Sequence, residues 1–168
     1  MANLGKENEI VEFKESTAEF DKACKAIVAM LNKSGKGTIY FGVKDCGDVI
    51  GQNVGKDTLS TLTDRIKDSI KPSIYPTITK LEIDGKNVIS VSFSGTNKPY
   101  AYKGSFYIRV EQQNLVVDPL VLREIIKDEN SGPNFTYIFN IFCHINLFLN
   151  FILFLCFLFL FVPNWLLL

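Results

Sequence analysis

Three acidic side chains, Glu7, Glu12 and Asp45, are candidates for a metal-dependent site. Glu12 lies in the alternating run Ile10–Lys14, and Asp45 follows the β-branched and aromatic run Thr38–Val43. α/β sheets often place functional groups where a strand ends, as Asp45 is placed. Together with Glu7, these carboxylates could bind one or two divalent ions, which would polarise a phosphodiester and activate water.

The spacing of Glu7 and Glu12 limits this interpretation. Residues five apart on a straight strand point to opposite faces, so the two carboxylates converge only if the chain bends near Asn8 or Glu9. The structural alternative is that Glu7 is solvated, that Glu12 pairs with a lysine, and that the Asp45 side chain bonds its own loop. From spacing alone, this structural alternative is favoured.

A second candidate feature interleaves basic and aromatic residues between Asn97 and Arg109, with no acidic residue among them. Lysine and arginine can contact phosphates, and tyrosine rings can stack on unpaired bases. In an alternating strand, Tyr107 and Arg109 share one face, while Phe106 and Ile108 share the other. The alternative is an ordinary hairpin whose tyrosines cover the edge of the core.

Several kinds of chemistry have no support in the sequence. The single histidine, His144, lies in an apolar C-terminal segment, so neither a Ser-His-Asp triad nor a Cys-His pair is indicated. The four cysteines lack CxxC spacing, which argues against zinc. With 18 basic and 18 acidic residues the net charge is zero, so any nucleic-acid site must be local.

Periodicity and turn signals predict an α/β fold, a mixed sheet with about three helices packed on it. A helix is expected after the capping box Ser16-x-x-Glu19, a second from Asp57 or Thr58 to Pro72, and a third from Asp118-Pro119. The strands are expected at Ile10–Lys14, Thr38–Val43, Val49–Gly51, Thr77–Ile83, Asn87–Phe93, Tyr100–Lys103 and Phe106–Val110. Asp84-Gly85 is expected to turn one hairpin, and Lys103-Gly104-Ser105 a second.

The composition changes sharply after this region. Every charged residue lies between Lys6 and Glu129, and the end of the chain is rich in Phe, Leu and Ile. We predict a domain at 5–129, a linker at 130–134 and a hydrophobic tail at 135–168, forming either a C-terminal helix or a disordered segment. The run 145–162 is long enough for a transmembrane anchor; the alternative is a frameshift or truncation product.

The ordered motifs of residues 5–127 resemble the Schlafen AlbA-type domain. They are Glu12-Phe-Lys-Glu-Ser16, Gly37-Thr-Ile-Tyr-Phe-Gly-Val-Lys-Asp45, Val49-Ile-Gly51, Asp84-Gly-Lys86, Lys98-Pro-Tyr100, Tyr102-Lys-Gly104 and Tyr107-Ile-Arg109. The resemblance implies nucleic-acid binding. In some Schlafen proteins the domain is a metal-dependent endoribonuclease acting on tRNA and rRNA, whose three catalytic carboxylates fall on Glu7, Glu12 and Asp45 here. Active Schlafen nucleases use two related lobes, so a single copy implies a homodimer or a missing partner.

The sequence therefore leads to one hypothesis and two alternatives. The hypothesis is a cytoplasmic protein that binds RNA in preference to DNA, as a transcriptional regulator or RNA-binding module. One alternative is an Mg²⁺- or Mn²⁺-dependent endoribonuclease using Glu7, Glu12 and Asp45. The other is a membrane-tethered adaptor with its domain facing the cytoplasm. The candidate nucleic-acid contacts are Lys14, Lys98, Tyr102, Lys103, Tyr107 and Arg109.

Overall fold

A computed structural model describes residues 2–130, and confirms the predicted α/β class. Its elements are β1 (Val11–Lys14), a 3-10 turn (Thr17–Glu19), α1 (Phe20–Ser34), β2 (Lys36–Phe41), α2 (Thr58–Ser69), β3 (Ile70–Lys71), β4 (Thr77–Ile83), β5 (Lys86–Ser94), β6 (Ala101–Tyr102), β7 (Ser105–Val110), β8 (Gln113–Val116) and α3 (Pro119–Asn130). The first of the chain's two units spans Met1–Asp128.

The strands form two four-stranded sheets rather than one mixed sheet. The first sheet has the order β1-β2-β5-β4, in which β1 and β2 are parallel and the other pairs antiparallel. The second has the order β3-β6-β7-β8 and is antiparallel throughout. Helix α1 contacts β1 and β2 of the first sheet and β6, β7 and β8 of the second. The helix therefore forms the central layer between the sheets.

Local signals explain where α1 begins and ends. Ser16 Oγ accepts a hydrogen bond from the Ala18 amide, and Glu19 reaches back to the Glu15 amide, one residue earlier than the predicted capping box requires. Gly35 ends the helix in the left-handed region, with φ of 69°, and donates to the Leu31 carbonyl.

Burial of α1 follows from its place between the sheets. The predicted apolar stripe is confirmed as buried, but residues 26 to 32 are buried on every side. A helix with apolar side chains all round is stable only when neighbouring elements cover all of its surface. Both sheets are therefore needed to complete this core.

Within residues 2–130, each of the three hairpins turns at residues with positive φ. The β4–β5 hairpin turns at Asp84 and Gly85, with φ of 50° and 69°, and the β6–β7 hairpin turns at Lys103 and Gly104, with φ of 50° and 76°. Both were predicted. A third hairpin, β7–β8, turns at Glu111 with φ of 55° and was not predicted.

The predicted tail and linker, residues 130–168, lie outside the described residues except for Asn130 at the end of α3. No helix within residues 2–130 is long and apolar enough to cross a membrane. The domain boundaries, the membrane anchor and the cytoplasmic location stay predictions.

Candidate functional site

The chain bends immediately before β1, as convergence of Glu7 and Glu12 requires. The Asn8 amide donates to the Val11 carbonyl at 3.0 Å, and the Ile10 amide donates to Asn8 Oδ1 at 2.9 Å. This turn folds Glu7 back along β1, where its Oε1 accepts a hydrogen bond from the Phe13 amide at 2.7 Å. The two carboxylates thus come to one neighbourhood although they lie five residues apart.

Glu12 is buried between two cations. Its Oε1 accepts a hydrogen bond from Lys14 Nζ at 2.7 Å, and its Oε2 lies 2.6 Å from Arg109 Nη2. The contact with Arg109 is an ion pair without a well-aligned hydrogen bond. Lys14 Nζ also donates to the Phe13 carbonyl and lies 4.0 Å from Glu7 Oε1. We call Glu7, Glu12, Lys14 and Arg109 the buried charge cluster.

Arg109 joins β7 to the chain around β1. Its side chain is fully buried, Nη1 donates to Asn114 Oδ1 at 2.8 Å, and Nη2 donates to the Asn8 carbonyl at 3.1 Å. The predicted sharing of one face by Tyr107 and Arg109 is confirmed, and that face is the inner one. Contact of Arg109 or Lys14 with a phosphate would require these internal ion pairs to open.

The third predicted carboxylate, Asp45, lies in an exposed turn and contributes to the electrostatic environment of Glu7. Burial raises the pKa of the Glu7 carboxyl above its usual value, and repulsion from Glu12 and Asp45 acts in the same direction. The Phe13 amide and the Lys14 ammonium oppose this shift. The structure therefore brings Glu7 and Glu12 together around Lys14, whereas Asp45 lies in an exposed turn outside the buried charge cluster.

The arrangement does not fit a divalent ion as it stands. Within residues 2–130, no group of three or more His, Cys, Asp and Glu side chains is placed to hold a metal. Both Glu12 oxygens already contact cations, and the carboxylate pair of the cluster is balanced by Lys14 and Arg109. Mg²⁺ or Mn²⁺ would have to displace these cations, and the metal assignment of Glu7, Glu12 and Asp45 stays a prediction.

The raised pKa of Glu7 gives the stability a definite pH dependence. Between the unfolded value near 4.5 and the raised folded pKa, the folded chain binds a proton that the unfolded chain has lost. This contribution to stability is therefore present at low pH and lost as pH rises. We expect the unfolding free energy of the wild type, relative to Glu7→Gln, to fall between pH 4 and pH 7 in urea titrations. Glu9→Gln, at an exposed carboxyl, controls for the loss of one negative charge; a difference that rises with pH would contradict the assignment.

The two tyrosines predicted to contact nucleic acid, Tyr102 and Tyr107, are core residues. Tyr102 and Tyr107 are 2% and 9% exposed and belong to the main hydrophobic cluster. The Tyr102 hydroxyl donates to Asp21 Oδ1, and Lys103 Nζ lies 3.2 Å from the same carboxylate. These contacts hold the pKa of Asp21 below its usual value, the Tyr102 hydrogen bond having the largest effect. Neither Tyr102 nor Tyr107 has a ring face open for base stacking in this arrangement.

Lysines occupy the accessible surface above these tyrosines. Lys103 Nζ lies 5.2 Å from the centre of the Tyr102 ring, and Lys25 Nζ lies 5.9 Å from that of Tyr107. At the other end of α1, Lys98 Nζ donates to the Lys33 carbonyl at 3.4 Å. These contacts place four lysines along the junction of α1 with the β6–β7 hairpin. We call Lys25, Lys33, Lys98 and Lys103 the basic surface.

Sequence reasoning missed the residue that attaches α1 to this hairpin. Asn32 is buried, its Nδ2 donates to the carbonyls of Tyr100 and Tyr107 at 2.8 Å, and its Oδ1 accepts from the Tyr100 amide at 2.7 Å. The signal available in the sequence was one amide next to the apolar run that ends at Leu31. Its three partners lie 68 or 75 residues away, so local patterns could not identify them.

These features define a small α/β domain with a basic margin and a buried ion-pair cluster. The family model described as Schlafen, AlbA_2 matches residues 7–118, and the chain belongs to this family. Family membership supports a nucleic-acid-related role for the domain in general terms. No curated protein matches the chain.

The solved structure of the DIP2311 protein from Corynebacterium diphtheriae agrees with this fold. It is 20% identical with a TM-score of 0.59, over 74% of this chain and 24% of that one. The N-terminal domain of a RecG-related protein from Nitrosomonas europaea, named for an ATP-dependent DNA helicase, is 18% identical with a TM-score of 0.46, over 65% of this chain and 84% of that one. The chain thus spans about a quarter of the length of the DIP2311 protein.

Proposed function

We propose that this domain binds nucleic acid and that the basic surface contacts the phosphates. The observation that carries the proposal is the pair Lys25 and Lys103, both exposed and each held over a buried tyrosine ring. A cation over a ring is held at the surface with its position partly fixed in advance, and a phosphate that contacts Lys103 would replace its exposed ion pair with Asp21. Membership of the Schlafen AlbA_2 family supports the same assignment.

This proposal divides the candidate residues of the sequence into two roles. Lys98 and Lys103 keep their proposed contacts with phosphates, joined by Lys25 and Lys33, which the sequence did not single out. Tyr102 and Tyr107 support the lysines from below. Lys14 and Arg109 act inside the buried charge cluster, where they hold β1 and β7 together.

The preference for RNA over DNA and the role of regulator or RNA-binding module rest on the family resemblance alone. The endoribonuclease alternative has one supporting observation, the approach of Glu7 and Glu12 to one neighbourhood around Lys14. Against it stand the two cations that already contact Glu12. A homodimer is compatible with either function and stays a proposal, as does the adaptor, whose anchor lies outside the described residues.

The binding proposal predicts salt-dependent association without a metal requirement. We expect the whole chain to bind fluorescein-labelled RNA and DNA oligonucleotides in anisotropy titrations. Two to four phosphate contacts give a slope of log K against log salt of roughly −1.5 to −3 for single strands. EDTA is expected to leave the affinity unchanged and added Mn²⁺ to produce no cleavage fragments. Binding abolished by EDTA, or fragments that Glu12→Gln abolishes, would favour the endoribonuclease instead.

A further inference from the structure

The face of the first sheet that points away from α1 carries a continuous row of short side chains. In the strand registers, Val11 on β1 pairs with Thr38 on β2, Thr38 with Ser92 on β5, and Ser92 with Thr77 on β4. Thr38 Oγ1 and Ser92 Oγ are 3.3 Å apart. The row therefore crosses all four strands and presents three hydroxyls side by side.

These hydroxyls form the floor of a cleft of about 440 Å³. Lys36 and Ser94, which pair in the next row, extend the floor, and Tyr75 and Ile10 stand at its margins. The volume lies within the range of roughly 300 to 1,000 Å³ that ligand sites occupy. Among residues 2–130, no acidic side chain lines the cleft, and the one formal charge in its lining is the Lys36 ammonium.

Tyr75 presents its ring to solvent at the edge of this cleft. Its side chain is 77% exposed, although Ile74 beside it is buried and anchors this segment in the core. Lys67 Nζ lies 5.7 Å from the centre of the Tyr75 ring, which places a second cation at the margin of the cleft. An exposed ring on an anchored segment, bordered by cations and hydroxyls, has the composition of a stacking platform for an unpaired base.

We propose that this cleft binds one or two nucleotides of a single strand, with a base stacked on Tyr75. Lys36 contacts a phosphate, and the hydroxyl row bonds the sugar or phosphate oxygens. The proposal rests on the proposed nucleic-acid binding and specifies the form of ligand that the domain takes. A duplex keeps its bases stacked inside and cannot use Tyr75, so the cleft selects single strands.

The cleft and the basic surface are separate contacts. Helix α1, which carries Lys25 and Lys33, packs on the face of the first sheet that bears Ile39, whereas the hydroxyl row lies on the other face. A single strand is flexible enough to reach from one contact to the other, and a stiff duplex is not. The two contacts can therefore be tested by independent variants.

The test uses the whole chain carrying Trp165→Phe and Tyr75→Trp, titrated with a ten-residue oligothymidylate and with a duplex of equal length. We expect the oligothymidylate to quench the indole fluorescence and the duplex to leave it unchanged. In the otherwise unchanged chain, Tyr75→Ala should weaken single-strand binding roughly five- to a hundredfold and Tyr75→Phe should retain it. Lys36→Ala should weaken it more than the matched variant Lys80→Ala, at an exposed lysine of β4 that does not line the cleft.

The outcomes separate the two proposals. If the chain binds the oligothymidylate but Tyr75→Ala binds equally well and the indole is not quenched, the cleft is overturned while nucleic-acid binding stands. The charge-reversal variant Lys25→Glu with Lys103→Glu tests the basic surface. If Tyr75→Ala loses binding and this charge-reversal variant does not, the cleft is supported and the basic surface is overturned. If the unchanged chain binds neither ligand, both proposals fail. Thermal unfolding midpoints confirm that each variant is folded.

Discussion

Replacement of Arg109 by methionine is expected to lower the free energy of unfolding at pH 7 by about 3–5 kcal/mol. The reason is that the guanidinium is fully buried and lies 2.6 Å from Glu12 Oε2. Without it, the buried Glu12 and the partly buried Glu7 remain beside one cation, Lys14. Hydrogen bonds to Asn114 and to the Asn8 carbonyl are lost as well. Urea unfolding followed by circular dichroism measures the change.

A control and a second variant separate the ion pair from the loss of volume. Arg123→Met, at an exposed position of α3, should change the unfolding free energy by no more than about 0.5 kcal/mol. Adding Glu12→Gln to Arg109→Met should cost less than the sum of the two single changes, because the second change no longer breaks a pair. A loss below about 1 kcal/mol for Arg109→Met would show that the buried charge cluster does not hold β7 in place.

Asn32→Ala is expected to cost about 3 kcal/mol or more. The change leaves the Tyr100 amide and the carbonyls of Tyr100 and Tyr107 without their side-chain partner. An unsatisfied buried polar group costs roughly 1–3 kcal/mol, and the surrounding core gives water little access. The same urea titration measures this effect, with the exposed Asn53→Ala as the matched control. Equal stability of the two variants would contradict the assigned role of Asn32.

Local chemistry made most of the fold predictable. Asp84-Gly85 and Lys103-Gly104 specify tight turns by themselves, and the structure has positive φ at all four residues. The three helices were predicted from apolar periodicity and terminal signals. Helices α2 and α3 begin where those signals place them, and α1 begins at Phe20, after a 3-10 turn at Thr17–Glu19. These elements depend on interactions between residues that are close in sequence.

The division into two sheets and the strand β8 depend on distant contacts. Gln113 and Asn114 have no strand pattern of their own, and Asn114 is held in β8 partly by Arg109. The turn at Glu111 places a non-glycine residue at φ of 55°, which sequence patterns do not predict. Helix α1 must be buried on both sides, and this requirement decides which sheet each strand joins. The requirement is a property of the whole domain and not of any one segment.

The candidate site shows the same limit. A bend near Asn8 was the condition under which Glu7 and Glu12 approach each other, and the structure has that bend. Pairing of Glu12 with a lysine was the structural alternative, and the structure has this pairing as well. The second cation, Arg109, is far away in the sequence and was assigned to phosphate binding. The alternating pattern of strand β7 correctly placed Arg109 on the same face as Tyr107, but it could not show that this face is buried.

The most direct test of the account compares two double charge reversals in the whole chain. Lys25→Glu with Lys103→Glu alters the basic surface, and Lys56→Glu with Lys80→Glu makes the same change in net charge at exposed lysines elsewhere. Anisotropy titrations with one labelled RNA at fixed salt give the affinities. We predict that the first variant binds at least about tenfold more weakly than the second, equivalent to about 1.4 kcal/mol. Equal affinities of the two folded variants would contradict the assignment of nucleic-acid binding to the basic surface.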